Sequence, residues 1–162
     1  MVGNNISINT SIYSGHFLSL NPDNLYDNTT LELLDKTTGS YTDLQSIIDS
    51  TPIGGILNLT FNVTYDPIGD AWLQSGMRLN KTITILGNNN TISGGGMARI
   101  FINDKIDSNA TLTDINFVNG YYGEGGAIYS SNGNMLTVIN STFYNNTATG
   151  SGGGAAIFST GA

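Results

Sequence analysis

The last third of the chain repeats one phrase, and that repetition constrains the fold more than any other feature. Leu112, Thr113, Asp114, Ile115, Asn116, Phe117, Val118 and Asn119 run into Gly125, Gly126, Ala127, Ile128 and Tyr129. Later Val138, Ile139, Asn140, Ser141, Thr142, Phe143, Tyr144 and Asn145 run into Gly153, Gly154, Ala155, Ala156, Ile157 and Phe158. Phe117 and Phe143 are 26 positions apart, and the two Ala-Ile pairs are 29 apart. Self-similarity at a period of about 20–50 residues marks a stack of like units, none of which can bury its apolar face alone. Residues that recur in this way are expected to serve the scaffold first.

Upstream of the repeats the pattern is also strand-like. Leu57, Leu59, Phe61 and Val63 alternate with Asn58, Thr60, Asn62 and Thr64, which predicts one strand with a buried face. Ile83 and Ile85 alternate with threonines, and Gly87 with Asn88, Asn89 and Asn90 reads as a turn before Thr91, Ile92 and Ser93. Arg99 to Asn103 is a further short strand. One segment differs. In Tyr41–Ser50, Leu44, Ile47 and Ile48 fall on one helical face, with Asp43, Gln45, Ser46 and Asp49 opposite. Thr42 with Gln45 three residues on has capping-box spacing, and Pro52 stops the helix. So short a helix must dock its apolar side, and the open end of the stack is the place expected. Residues 1–40 carry hints of strands at Ile6, Ile8, Phe17, Leu18 and Leu20 but no fold that can be assigned.

Composition narrows the partners. Only 10% of the 162 residues are charged, yet the net charge is −7, so solubility rests on Asn, Ser, Thr and Gly. An acidic chain disfavours nucleic acid and anionic membrane surfaces and leaves neutral or cationic partners open. The chain has no cysteine, which excludes disulfides and thiolate metal sites. It has no run of about 18 apolar residues, so no helical membrane insertion is expected within it.

The helix at 41–50, the phrase from Lys81 to Ile92, and the Phe-x-Asn and Gly-Gly-Ala-Ile words together resemble the adhesin-like surface proteins of methanogenic archaea. The last two words are shared with the polymorphic outer-membrane proteins of chlamydiae. The resemblance covers residues 41–162. It implies an all-β, right-handed parallel β-helix of the pectin-lyase-like kind. A capping helix at 41–51 would precede β-helix repeats over 52–162. It also implies a non-catalytic protein at the extracellular cell surface, without cofactors, that binds a glycan or surface protein of another cell. A signal and an anchor are expected outside this chain. The last repeat word is followed by Ser159, Thr160, Gly161 and Ala162 and no cap, which predicts a fragment or end-to-end self-association. Asp66 to Gly76, with Pro67 and Trp72, reads as an inserted loop.

Within such a fold Phe117 is expected over Phe143, Ile128 near Ile157, and Asn119 over Asn145 as an amide ladder. The glycines before Ala-Ile should supply positive φ and close backbone approach. Two alternatives to an adhesin are a structural stalk and a polysaccharide lyase or glycoside hydrolase. A hydrolase needs two carboxylates flanking the sugar bond, and Asp104 with Asp114 is the best candidate pair. A lyase needs a base, and after Lys36 only Arg78, Lys81, Arg99 and Lys105 are available, Arg99 being the one expected to converge with Asp104 and Asp114. No carboxylate cluster suggests calcium, and the single His16 assembles neither a triad nor a metal site. Trp72, Tyr121 and Tyr122 are the candidate ligand-contact residues, because loop aromatics stack on sugar faces. Sequons make Asn58, Asn62, Asn80, Asn89, Asn109, Asn140 and Asn145 candidates for N-glycosylation, with Asn5, Asn9 and Asn28 further upstream.

Overall fold

A computed structural model describes residues 37–151 and 153–161. The strand hints at Ile6, Ile8, Phe17, Leu18 and Leu20, together with His16 and the three upstream sequons, lie outside them. The described chain forms a short strand β1 (Thr38–Gly39), helix α1 (Tyr41–Ser50), β2 (Ile56–Asn58) and β3 (Asn62–Thr64). A single 3-10 turn (Ala71–Leu73) leads to β4 (Met77–Arg78), β5 (Ile83–Leu86), β6 (Thr91–Ser93) and β7 (Phe101–Asn103). Then come β8 (Ala110–Thr113), β9 (Asn116–Val118), β10 (Tyr121–Tyr122) and β11 (Ile128–Ser130). The last are β12 (Leu136–Ile139), β13 (Thr142–Tyr144), β14 (Thr147–Ala148) and β15 (Ile157–Ser159).

Every strand pair is parallel. The first sheet is β2-β5-β8-β12, the second β1-β3-β6-β9-β13 and the third β4-β7-β11-β15, with β10 and β14 as a small separate pair. From β2 onward the chain visits the first, second and third sheets in turn and then begins again. Each pass therefore adds one strand to each sheet.

Pairing register converts the sequence pattern into three apolar ladders. Leu57, Ile85, Leu112 and Val138 are successive partners on the first sheet. Val63, Ile92, Phe117 and Phe143 follow on the second, and Met77, Phe101, Ile128 and Ile157 on the third. All are buried except the last member of each, which is partly buried against the same core. The expected Phe117–Phe143 contact is a stacked pair with ring centroids 4.8 Å apart and planes 13° from parallel. Phe101 meets Phe117 edge-to-face at 6.1 Å, joining the second and third ladders. The Ile128–Ile157 pairing is also formed. The step between partners ranges from 24 residues (Met77 to Phe101) to 29 (Val63 to Ile92), so the connections absorb the length differences.

The stretch Ile56–Thr64 corrects the single-strand expectation. It is two strands, β2 on the first sheet and β3 on the second. Alternation passes through the corner unbroken, and Leu57, Leu59, Phe61 and Val63 are all buried, because the inner faces of both sheets belong to one core. The Leu59 carbonyl freed at the corner accepts from the amides of Asn88 (3.1 Å) and Asn90 (3.0 Å) of the next pass. Gly125 has φ +58°, and a side chain there would run into the Ile128 carbonyl. Gly126, Gly153 and Gly154 are not among the positive-φ residues and serve close backbone approach instead.

Helix α1 forms where expected but is capped differently. Ser40, not Thr42, is the N-cap: its hydroxyl accepts from the Asp43 amide, and the Asp43 carboxylate accepts from the Ser40 amide. Thr42 instead donates its hydroxyl to Asp70 at 2.7 Å. Asp70 is itself 1% exposed and accepts from the amides of Tyr41 (3.0 Å), Thr42 (2.8 Å) and Asp66 (2.8 Å). This carboxylate satisfies donors at the helix start and favours the positive end of its dipole. Gln45, expected on the solvent face, is buried. Its Oε1 accepts from the Arg78 amide at 2.6 Å and its Nε2 donates to the Arg78 carbonyl at 3.3 Å, so the side chain pairs with edge strand β4 as a further strand would. Tyr41, Leu44 and Ile48 join the same core as Leu57, Val63 and Met77, so the helix covers one end of the ladders.

Two outcomes are expected from this packing. Phe117→Ala should lower the unfolding free energy by about 3–5 kcal/mol, and Phe143→Ala by clearly less, because only Phe117 is enclosed on both sides; urea denaturation measures both. The Tyr41 phenol is pushed well above its ordinary value by burial, then by Asp70 and Tyr65, and its hydroxyl has no hydrogen-bond partner. A raised folded-state value means stability that is complete below about pH 10 and lost as pH rises further, because the unfolded phenol ionises first. Tyr41→Phe should therefore melt no lower than the parent at pH 7 and higher than it above about pH 10, as followed by circular dichroism.

Candidate functional site

The connections between sheets carry the polar chemistry, and each type of connection stacks on its counterpart in the next pass. Asn119 and Asn145 both have positive φ, and the Asn145 amide donates to Asn119 Oδ1 at 2.7 Å, forming the expected ladder. Asn140 donates likewise to Asp114 Oδ1, and the Thr142 hydroxyl to Asn116 Oδ1 at 2.7 Å. Asp114 has φ +55°, a conformation that Asn and Asp tolerate better than other side chains. It thus sits at a first-to-second-sheet turn, bonded to the residue above it. Asp104 follows β7 on a third-to-first-sheet connection, where its carbonyl accepts from the Asn132 amide. The two carboxylates belong to different connections, and the structure does not bring them onto one turn.

Arg99 is also committed to the interior. It is 4% exposed, and Nη2 donates to the Glu124 carbonyl at 2.8 Å while Nη1 donates to that of Ser75 at 2.9 Å. Nε lies 3.1 Å from the Gly125 carbonyl. The guanidinium carbon stands 4.1 Å from the centroid of Tyr122 and 4.9 Å from that of Tyr129. Burial pulls its pKa down, opposed by Tyr122, Tyr129, Asp104 and Glu124. Carbonyl dipoles and two ring faces hold this cation in place of a carboxylate, and they bind three passes together.

The three candidate contact aromatics all lie on second-to-third-sheet connections. Trp72, on the 3-10 turn, is 59% exposed and Tyr121 is 42% exposed. Met97 is also exposed and occupies the intervening pass, a position the sequence reading missed. Gln74 Nε2 donates to the Met97 carbonyl at 3.3 Å, and the Tyr121 amide donates to the Ala98 carbonyl at 2.9 Å, which orders the three segments layer upon layer. Tyr122 differs from its neighbour. Alternation along β10 turns its ring onto Arg99, so it supports this corner from within.

A second surface feature was not foreseen. An open cleft of about 490 Å³ lies along the third-to-first-sheet connections, with Lys81, Lys105, Asp49, Asp107, Ile106 and Ser108 in its wall. Its residues come from the end of α1 and from two successive third-to-first-sheet connections, so no local sequence signal could have marked it. The sequon asparagines divide by what their amides do. Asn58, Asn80 and Asn89 make no side-chain hydrogen bond, and Asn62 only accepts one, from the Thr91 amide at 2.8 Å. Asn109 accepts from the Met135 amide at 2.8 Å, whereas Asn140 and Asn145 donate the nitrogen that a glycan would occupy. Among the described residues no group of three or more His, Cys, Asp or Glu is placed to hold a metal ion, and no helix is long and apolar enough to cross a membrane. No family model, curated protein or solved structure matches the chain.

Modification is expected to follow amide availability. In a host that glycosylates Asn-x-Ser/Thr, glycopeptide mass spectrometry should find Asn58 and Asn89 occupied more fully than Asn140 and Asn145; the reverse order would contradict the ladder assignments.

Proposed function

We propose that this chain is a repeat segment of an adhesin-like, extracellular cell-surface protein, a right-handed parallel β-helix that binds glycan through an aromatic corner and does not cleave it. The resemblance to archaeal adhesin-like and chlamydial surface proteins supports the class. The observation that carries the binding role is the exposed row Trp72, Met97 and Tyr121 on successive layers of one corner. The three segments are hydrogen-bonded layer to layer, which pre-orders the row. Apolar ring faces on a rigid strip suit the hydrophobic faces of a neutral saccharide and involve little ordering on binding. An uncharged partner is also the one most compatible with a net charge of −7.

The non-catalytic half of the proposal draws on the separation of Asp104 from Asp114 and on the enclosure of Arg99. A polysaccharide-cleaving enzyme of this architecture would need acids facing one sugar bond and an accessible base. A stalk that associates end to end has one observation in its favour: β12, β13 and β15 are edge strands, and Leu136, Val138, Phe143 and Ile157 beneath them are only partly buried.

Affinity electrophoresis against mucins, pectins and microbial polysaccharides separates these readings when polymer length is followed in parallel. Retardation by at least one neutral glycan, without shortening, is expected. Trp72→Ala and Tyr121→Ala should each weaken it at least tenfold with unchanged circular dichroism. Shortened polymers would overturn the non-catalytic reading, and retardation indifferent to both substitutions would overturn the aromatic corner.

A further inference from the structure

The interior turns polar at the third-to-first-sheet corner. On the third sheet the inward slot just past Met77, Phe101, Ile128 and Ile157 holds Leu79, then Asn103, Ser130 and Ser159 in successive layers. Leu79 is buried, Asn103 and Ser130 are 0% exposed, and Ser159 is exposed at the open end. Across the turn that follows Asn103, Ser108 is 1% exposed and lies on the inward side with Ala110 and Leu112. Asn134, from the next layer, clips this turn closed. Its Oδ1 accepts from the Ser108 amide at 3.2 Å, and its Nδ2 donates to the carbonyls of Lys105 (2.7 Å) and Asn103 (3.3 Å). Asn103, Ser108 and Ser130 are thereby gathered inside one corner. Asn103 Oδ1 and Nδ2 and the hydroxyls of Ser108 and Ser130 have no hydrogen-bond partner in the protein. They are four of the five such buried side-chain atoms among the described residues, so the deficit is concentrated in one place.

We propose that this corner is a binding site for water: at least one ordered molecule, enclosed between the Asn103 and Ser130 layers, bridges Asn103 to the two serine hydroxyls. The inference is independent of the glycan-binding reading. Water fits because the set needs a partner that both donates and accepts. Asn103 Oδ1 requires a donor, Asn103 Nδ2 requires an acceptor, and each hydroxyl serves as either. A cation would answer the oxygens and be opposed by Asn103 Nδ2, and none of the three side chains carries a charge to hold it. An organic ligand has no entrance, since all three side chains are sealed from solvent. Room comes from the serines: the layer nearest α1 fills the slot with Leu79, later layers carry a shorter side chain, and a water takes a share of about 30 Å³. Exposed Ser159 continues the same slot, which gives water a path from the open end.

The test is oxygen-17 magnetic relaxation dispersion on the full chain, which counts waters held far longer than those of the surface and is blind to exchange of hydroxyl protons. Asn103→Leu keeps the shape of the side chain and removes both polar atoms. It should lose the dispersion of at least one long-lived water, with circular dichroism unchanged. The double variant Ser108→Ala with Ser130→Ala should show the same loss, and it decides the matter where Asn103→Leu does not fold. Dispersion equal to the parent's in either folded variant would overturn the proposal, because the corner would then be dry. A dispersion or melting temperature that changes when choline chloride replaces sodium chloride at equal ionic strength would assign the corner to a cation and overturn it as well.

Discussion

The structure depends on one constraint: a side chain on the inner face must stack on a like side chain from the pass below. Parallel, in-register pairing lines up Phe117 with Phe143 and Ile128 with Ile157, and each ladder position is buried only because its neighbours occupy the same slot. Stability is therefore shared between passes and not contained in any one of them. The ends are the exception. At one, α1 covers the ladders with Tyr41, Leu44 and Ile48, and Gln45 pairs with β4. At the other, Val138, Phe143 and Ile157 are only partly covered.

Register in turn needs connections that return the chain to the same phase despite passes of unequal length. Positive-φ Asn and Asp residues do this at the turns, and their side chains bond to the pass above or below, as Asn145 does to Asn119. Longer connections need internal anchors. Arg99 ties the carbonyl of Ser75 in the pass before it to those of Glu124 and Gly125 in the pass after it, and Asp70 ties the inserted loop to the start of α1. With the corners fixed in this way, side chains such as Trp72 and Tyr121 are free to face outward from a rigid support. The proposed binding surface is therefore a by-product of the same register that builds the core.

How much of this was legible in the sequence follows from the same physics. The ladders were readable, because stacking like on like writes itself into the chain as repetition. The corner between β2 and β3 was not, since inside–outside alternation continues across it and only the Asn88 and Asn90 amides, a pass away, reveal the bend. Thr42 carried the capping-box spacing, but Asp70, brought close only by the fold, takes its hydroxyl, and Ser40 caps the helix with Asp43. Strand β1 escaped notice because two residues carry no period. Tyr121 and Tyr122 looked equivalent as neighbours, yet alternation sends one to solvent and the other onto Arg99. The cleft was illegible for a simpler reason: Asp49, Lys81 and Lys105 are brought together only by stacking.

Parallel in-register stacking is the claim on which the rest stands, and the absence of cysteine makes it directly testable. Thr111 and Thr137 are register partners on β8 and β12, whereas Thr111 and Val138 are one residue out of step, with side chains on opposite faces. Thr111→Cys with Thr137→Cys should form an intramolecular disulfide under mild oxidation, because adjacent parallel partners fall within the required separation. Thr111→Cys with Val138→Cys should not. Rapid oxidation of the first pair alone is the expected result; efficient cross-linking of the second pair, or of neither, would contradict the register and the ladders built on it.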